Sequence, residues 1–416
     1  MADAGPPRRV PGGQAVTAAG PGSTRRFIWS IVAAQVLVQI GAFTLPALLP
    51  AYIDHWQLTK TEAGSLVGIF FAAYVFAVPL LVALTDRIPT RNVYVVGAGL
   101  TALAHLGFAF VADGFWSGLV LRAVAGVGWA GAYMPGLKAI ADTLEGNAQS
   151  RAVSAHAAGV GIAGASSFAI AGLIAGLFGP QAAFMFGGLS ALIAIVIALR
   201  VMPGVPPMHA KADPRALLDF RPVFRNRAAM AWIAGYTFHT WEMAGLRAWG
   251  VTFLAMAVAQ AGAPSWFPAP TVIFTIANFV GIAVSILGNE MSQRLGRVRI
   301  VTIAMTASAL LAACAGWTVG LSASLAALLV IVWLAFVFLD SSALTAGTVQ
   351  AADPAMRGAT MGLHSMCGYT GGFIGPLGVG FALDLAGQNP VLGWGLGFGQ
   401  LALISMIGLV FVRKLG

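Results

Sequence analysis

The stretch His239-Thr-Trp-Glu-Met-Ala-Gly-Leu-Arg-Ala-Trp-Gly250 sets a histidine, a carboxylate and a guanidinium inside an otherwise apolar run, and between Ala228 and Val258 no other acidic, basic or imidazole side chain occurs. At bilayer depth such groups cost at least ~2.5–3.5 kcal/mol each, so pairing or function must retain them. On a helix His239 and Glu242 lie about 60° apart on one face and are expected to touch. Arg247 lies about 140° round from Glu242 and roughly 7.5 Å further along the axis, so it is expected to face another helix, a water-filled cavity or a ligand. The chemistry this suggests is proton exchange at Glu242 and His239 beside a guanidinium suited to bidentate binding of a carboxylate or oxyanion. The competing structural reading is a buried polar knot that fixes helix packing.

Few other polar residues fall at depth. Gln35 and Gln39 are one turn apart in the first apolar segment and form a polar wall. Arg122 is a candidate for binding or gating, whereas Lys138 in the same segment is close enough to its end to reach the interface. Asp340, in Phe-Leu-Asp-Ser-Ser, is a candidate proton carrier or ion partner. His364 and Tyr369 are candidate cavity residues, and Asp384 lies near the external end of their segment. Trp241 and Trp249 flank the charged stretch, Trp241 being the candidate pocket residue, while His105 is expected simply to hydrogen-bond a neighbouring helix. The candidate site is therefore Arg247, Arg122, Gln35, Gln39, His364, Tyr369 and Trp241 for the solute, with Glu242, His239 and Asp340 for protons.

The elements that must position these residues follow from composition. Of 416 residues, 58% are hydrophobic and 9% charged, too much apolar surface for a soluble domain to hide. Apolar runs long enough to span the ~30 Å hydrocarbon layer occur at about 27–50, 62–85, 92–112, 115–140, 152–178, 181–202, 228–258, 270–289, 298–317, 322–346, 357–384 and 390–412. The expected fold class is an all-α polytopic membrane protein with twelve transmembrane helices, because lipid offers unpaired backbone groups no partner. Nineteen of the 23 Lys and Arg fall on the side of the termini and only Lys60 on the other, which predicts cytoplasmic termini. The net charge of +9 is thus topological and calls for no nucleic-acid partner. Cys314 and Cys367 both lie in apolar segments and are expected to be buried, inert thiols, with no disulfide framework and no metal site.

Residues 1–26, rich in Pro, Gly, Ala and Arg, are expected to form a disordered cytoplasmic tail, not a signal peptide. The Pro-rich basic stretch 203–227 follows six apolar segments and divides the chain into bundles at 27–202 and 228–416. An internal repeat supports that division: an offset of 207 relates Asp86-Arg87-Ile-Pro-Thr-Arg91 to Gln293-Arg294-Leu-Gly-Arg297, and also carries Gly161 and Gly164 onto Gly368 and Gly371.

These motifs resemble those of the major facilitator superfamily. Asp86-Arg87 and Arg91 match the family's pattern after the second helix, Gly-x-x-x-Asp-Arg-x-Gly-Arg, with Val82 and Pro89 in place of its glycines. Arg122-Ala-Val-Ala-Gly126-Val-Gly128-Trp-Ala130 matches the family's fourth-helix pattern more closely. The glycines Gly159, Gly161 and Gly164 lack the proline of the antiporter-associated motif, while Gly371-Gly372-Phe-Ile-Gly375-Pro376 carries one in the eleventh segment. The resemblance implies two six-helix bundles that rock about a central site, a monomeric working unit and a gating role for Asp86, Arg87 and Arg91. The bland alternative for that triad is topology plus a surface ion pair.

The function expected from these residues is secondary active transport of a small anionic solute by alternating access, with protons as the coupling ion, in a bacterial inner membrane. Within the family, nitrate and nitrite carriers present arginines from the second and eighth helices, and none occurs between 62–85 or 270–289, which disfavours that anion. Two alternatives stand beside it: a proton-driven exporter of amphipathic drugs or metabolites, and a non-transporting sensor on the same fold. No His-Glu-x-x-His, Cys pair at ligand spacing or Gly-rich phosphate loop is present, so neither an enzyme nor a cofactor is expected.

Overall fold

A computed structural model describes residues 21–205 and 220–415. Among these there is no strand, and the chain runs through α1 (Pro21–Gln39), α2 (Thr44–Trp56), α3 (Lys60–Leu84), α4 (Thr90–Phe110), α5 (Phe115–Thr143), α6 (Gly146–Phe178) and α7 (Pro180–Val201). A short α8 (Arg221–Arg225) then leads to α9 (Arg227–Ala261), α10 (Pro270–Leu295), α11 (Arg297–Ala315), α12 (Ala323–Leu339), α13 (Ser341–Ala351), α14 (Arg357–Leu385) and α15 (Pro390–Leu415). Ten units are long and apolar enough to cross a membrane, α1–α2 and α12–α13 each counting as one span. The two further long helices, α5 and α9, are those whose apolar runs hold Arg122 and Lys138 or His239, Glu242 and Arg247. Twelve spans result, in the positions that the apolar runs predict. Large apolar side chains such as Phe76, Leu80, Leu103, Leu173 and Phe381 are exposed on the outside, as lipid-facing positions require.

Two spans are broken where the sequence reads as continuous. The first stops at Gln39 and restarts at Thr44, where the Gly41 carbonyl accepts from the Thr44 amide at 3.1 Å and lies 3.0 Å from His105 Nε2, while the Phe43 amide donates to Ser167 Oγ at 3.1 Å. The tenth is interrupted at Asp340. Backbone polarity in an apolar medium needs such partners, and at the first break they come from the turn itself and from two other helices. Pro21–Arg26, expected in the tail, belong to α1, whereas residues 1–20 of the tail and 206–219 of the connector lie outside the described residues. Of the two thiols expected to be buried, Cys314 is exposed on the lipid-facing side of α11 and Cys367 is half-buried. An apolar run alone does not distinguish a lipid-facing position from a core one.

Three helix pairs carry the main packing between the bundles: α3 with α14, α6 with α10, and α2 with α9. Close approaches at Gly64–Pro376, Gly380–Lys60 and Gly172–Thr271 lie in the half away from the termini. Along α3 and α14 glycines let the backbones approach, since a side chain on Gly64 would run into the Pro376 carbonyl and one on Gly380 into that of Lys60. At the far end, the side opposite the termini, the Asp384 carboxylate accepts from Lys60 N at 2.8 Å, Thr61 N at 2.7 Å and Thr61 Oγ1 at 2.6 Å, so that an α14 side chain of one bundle caps α3 of the other. The largest apolar core is continuous across the boundary and joins Leu45, Phe168 and Phe184 to Trp249, Phe253 and Phe274.

Candidate functional site

The bundles enclose a cavity of about 160 Å³ near the middle of the helices. Gln39 and Phe43 reach it from the broken first span, Val67 and Phe71 from α3, Trp129 from α5 and Gly161 and Gly164 from α6. The second bundle supplies Tyr236, Thr240 and Arg247 from α9, Asn278 and Ile282 from α10, Phe338 from α12 and Tyr369 from α14. Most of this wall is apolar or aromatic, and Arg247 is its sole charged side chain.

Arg247 is held without an acid. Its guanidinium carbon stands 3.9 Å from the centre of the Phe43 ring, which the break between α1 and α2 delivers from the opposite bundle, and this cation–π contact leaves the in-plane donors for other partners. Gly164 makes room for it: a Cβ there would fall 3.0 Å from Arg247 Nη2. Arg247 takes part in no ion pair among the described residues, and its Nε has no acceptor. Phe43 stacks on Phe168 at 5.2 Å, and Phe168 meets Phe274 edge-on at 4.8 Å, so an aromatic column ties the guanidinium's seat to both bundles.

Behind the cavity, the two buried acids of the second bundle, Glu242 and Asp340, belong to two separate groups. Helical spacing predicts a contact between His239 and Glu242, but each turns to a different neighbour, and among the described residues no hydrogen bond joins them. His239 Nδ1 lies 2.9 Å from Asp340 Oδ1, with both side chains 2% exposed. Glu242 accepts from Trp333 Nε1 at 2.7 Å and from Ser308 Oγ at 3.2 Å. An adjacent pair on one helix face thus has its geometry decided by what α11 and α12 present. Tyr236 lines the cavity, stacks on His364 at 3.9 Å and faces His239 at 5.8 Å, which makes it the ring between the cavity and the His239–Asp340 pair.

The remaining candidates divide. Gln39, Arg247 and Tyr369 come together in the cavity lining; Gln35, Arg122, His364 and Trp241 are not part of it. Gln35 Oε1 instead pairs with His156 Nε2 at 3.1 Å, and His364 with Thr348 Oγ1 at 3.0 Å. Arg122 is buried against α3, its Nε donating to the Leu66 carbonyl at 3.4 Å and its guanidinium 4.8 Å from the Phe70 ring. His105 bonds the Thr101 and Gly41 carbonyls, as expected of a histidine serving a neighbouring helix. In the proposed gating triad, Asp86 lies 3.7 Å from Lys138, which also pairs with Asp142 at 2.8 Å; Arg87 is exposed, and Arg91 packs against Gly204. That cluster links α3 to α5 within one bundle.

Several residues of the site were not singled out by sequence. Asn278 had a visible signal, an amide alone in the run Ile-Phe-Thr-Ile-Ala-Asn-Phe-Val. Phe43, Trp129, Tyr236 and Trp333 had none, because an aromatic residue that lines a cavity and one that fills a core look alike in a sequence.

Comparison with known proteins agrees with this architecture. The model of the Major Facilitator Superfamily matches residues 31–376. The niacin transporter NiaP of Acinetobacter baylyi (strain ATCC 33305 / BD413 / ADP1) is 23% identical over 159 residues, which are 38% of this chain and 36% of that protein, so the match spans about a third of the relative's length. Among solved structures, the nucleoside transporter NupG superposes with a TM-score of 0.76 at 13% identity, over 94% of this chain and 98% of that one. A transporter of the POT family in complex with 5-aminolevulinic acid gives 0.74 at 14% identity, over 94% and 96%. A bacterial homologue of the human lysosomal transporter Spinster gives 0.72 at 15% identity, over 95% of each chain. With its family model covering most of its length and its two bundles enclosing a central cavity, this chain belongs to the Major Facilitator Superfamily and is an integral membrane protein.

Proposed function

We propose that the solute is a small organic carboxylate carrying an aromatic ring, bound by Arg247 and moved by alternating access with proton coupling. The observation that carries this reading is a single guanidinium, free of any acid, set in a mostly apolar and aromatic cavity between the bundles. An anion there neutralises a charge that costs free energy at depth, and a guanidinium presents paired N–H donors to a carboxylate. Rings at Phe43, Phe71, Trp129 and Tyr369 supply apolar faces for the remainder of the solute. The niacin transporter named above handles an aromatic carboxylate by its name, which points the same way. A cationic drug would meet Arg247 with no acid in the lining to offset the repulsion, so the exporter reading is second.

Positive-inside topology gives the orientation: both termini cytoplasmic, Lys60 and Asp384 external. The contacts between bundles then close the outer half, and the conformation is the one whose route out leads to the cytoplasm. Opening outward pulls α2 from α9 and separates Phe43 from Arg247, releasing the guanidinium for a new anion. His239, Asp340 and Glu242 carry the protons, with Tyr236 relaying the occupancy of the cavity to His239. The working unit is a monomer.

Uptake of radiolabelled benzoate into proteoliposomes under an inward proton gradient tests the reading. Benzoate flux that is lost in Arg247→Gln and partly retained in Arg247→Lys supports it; flux unchanged in Arg247→Gln sinks it. Flux of lipophilic cations with no carboxylate transport would put the exporter first.

A further inference from the structure

Four side chains of the cavity wall hold buried polar atoms with no partner: Gln39 Nε2 from α1, Trp129 Nε1 from α5, Arg247 Nε from α9 and Asn278 Oδ1 from α10. Buried donors and acceptors are nearly always paired, and four orphans from four helices around one cavity call for a ligand that completes them. Three are donors and suit a carboxylate. The fourth is an acceptor, which a carboxylate cannot satisfy.

Asn278 is locked in that role. It is 1% exposed, and its Nδ2 donates to the Phe274 carbonyl at 2.8 Å. Because a carbonyl only accepts, the amide nitrogen must take that side, and the oxygen is left as the other end whichever way the group is first drawn. The other polar groups of the wall lack this constraint. The hydroxyls of Tyr236 and Tyr369 can turn to donate or accept, Gln39 has no carbonyl to orient its amide, and Thr240 already donates to the Gly368 carbonyl at 2.6 Å.

We infer that the transported carboxylate also bears a hydrogen-bond donor on its ring, a hydroxyl or amino group, and that Asn278 Oδ1 is the specificity-determining acceptor for it. This rests on the reading of Arg247 as the carboxylate's partner. A ring without a donor leaves the buried Asn278 acceptor unpaired after water has been displaced, whereas a hydroxyl or amino hydrogen satisfies it.

The test is binding to the purified full chain by calorimetry, using benzoate, the three hydroxybenzoates and the matching fluorobenzoates, whose fluorine is close to a hydroxyl in size but donates nothing. The best hydroxybenzoate is expected to bind at least about tenfold tighter than its fluoro counterpart, and Asn278→Leu to bring the two within about threefold of each other. Equal binding of the hydroxy and fluoro acids to the unaltered protein, with both lost in Arg247→Gln, overturns the inference and leaves the carboxylate reading standing. Discrimination that survives in Asn278→Leu overturns the assignment to Asn278. If no carboxylate binds at all, both fall together. Since the hydroxy–fluoro comparison needs no variant, misfolding of Asn278→Leu does not shield the inference.

Discussion

Removing the carboxylate of Asp384 should loosen the far end of the interface between the bundles. Its three accepted bonds, from Lys60 N, Thr61 N and Thr61 Oγ1 at 2.6–2.8 Å, cross from α14 to the first turn of α3. Taken at face value, three bonds to a charged acceptor would total several kcal/mol, but the group is exposed and water re-solvates the freed amides. The better guide is the loss of a helix N-cap, about 1–2 kcal/mol. Because the cap exists only while the far side is closed, that amount shifts the conformational equilibrium directly, by roughly 5- to 30-fold. The assay is the labelling rate of Phe71→Cys, a cavity residue, by a membrane-impermeant maleimide applied from the side opposite the termini, with Cys314 and Cys367 replaced by serine. Asp384→Ala should accelerate labelling about 5- to 30-fold, and Thr61→Val, which removes one of the three bonds, by less. A rate within twofold of the parent in Asp384→Ala would refute the reasoning, because it would mean that the cap contributes equally to both conformations or to neither.

Three further outcomes are expected. Glu242→Gln keeps the volume and one acceptor for Trp333 but cannot ionise, so proteoliposome uptake should lose its dependence on an imposed pH gradient while counterflow of the solute persists; retained gradient dependence removes Glu242 from coupling. Asp340→Asn removes the carboxylate that stands 2.9 Å from His239 Nδ1 in a site where both are 2% exposed, and leaving a buried polar group poorly partnered costs about 1–3 kcal/mol, so the thermal unfolding midpoint should fall and be restored in part by His239→Gln in the same chain. His105→Ala takes one of two partners from the Gly41 carbonyl at the break in the first span and leaves the Thr44 amide at 3.1 Å, a loss of about 1 kcal/mol, and benzoate affinity should drop as Phe43 shifts from Arg247; affinity equal to the parent's would show that the break holds without His105.

The contrast between the Asp86 cluster and Asp384 shows how sequence motif and tertiary role part company. Asp86, Arg87 and Arg91 stand out by pattern, yet Asp86 reaches Lys138 within its own bundle. Asp384 stands out by nothing except a charge near a helix end, yet it bridges the bundles because α3 begins opposite it. A carboxylate near a helix terminus is common, and only the juxtaposition of two segments 323 residues apart makes this one a cap.

By itself, the sequence determined the membrane architecture. Apolar runs of spanning length, charges gathered in alternate loops and a repeat of 207 residues leave twelve helices in two bundles as the reading, because a lipid environment admits little else for such a chain. It also marked Arg247, His239, Glu242 and Asp340, since an ionisable group in an apolar run is conspicuous whatever surrounds it. Only the tertiary structure decided who meets whom. His239 pairs with Asp340 from the tenth span and Glu242 with Trp333 and Ser308, although helical spacing set the two on one face. Arg247 finds Phe43 across the boundary between bundles because the first helix breaks at Gly41, a break that Gly41 and Pro46 permit but that does not by itself say which helix Phe43 will meet. Periodicity describes one helix at a time, whereas a cavity is made of several, and its chemistry is set by the partners each side chain is given or denied.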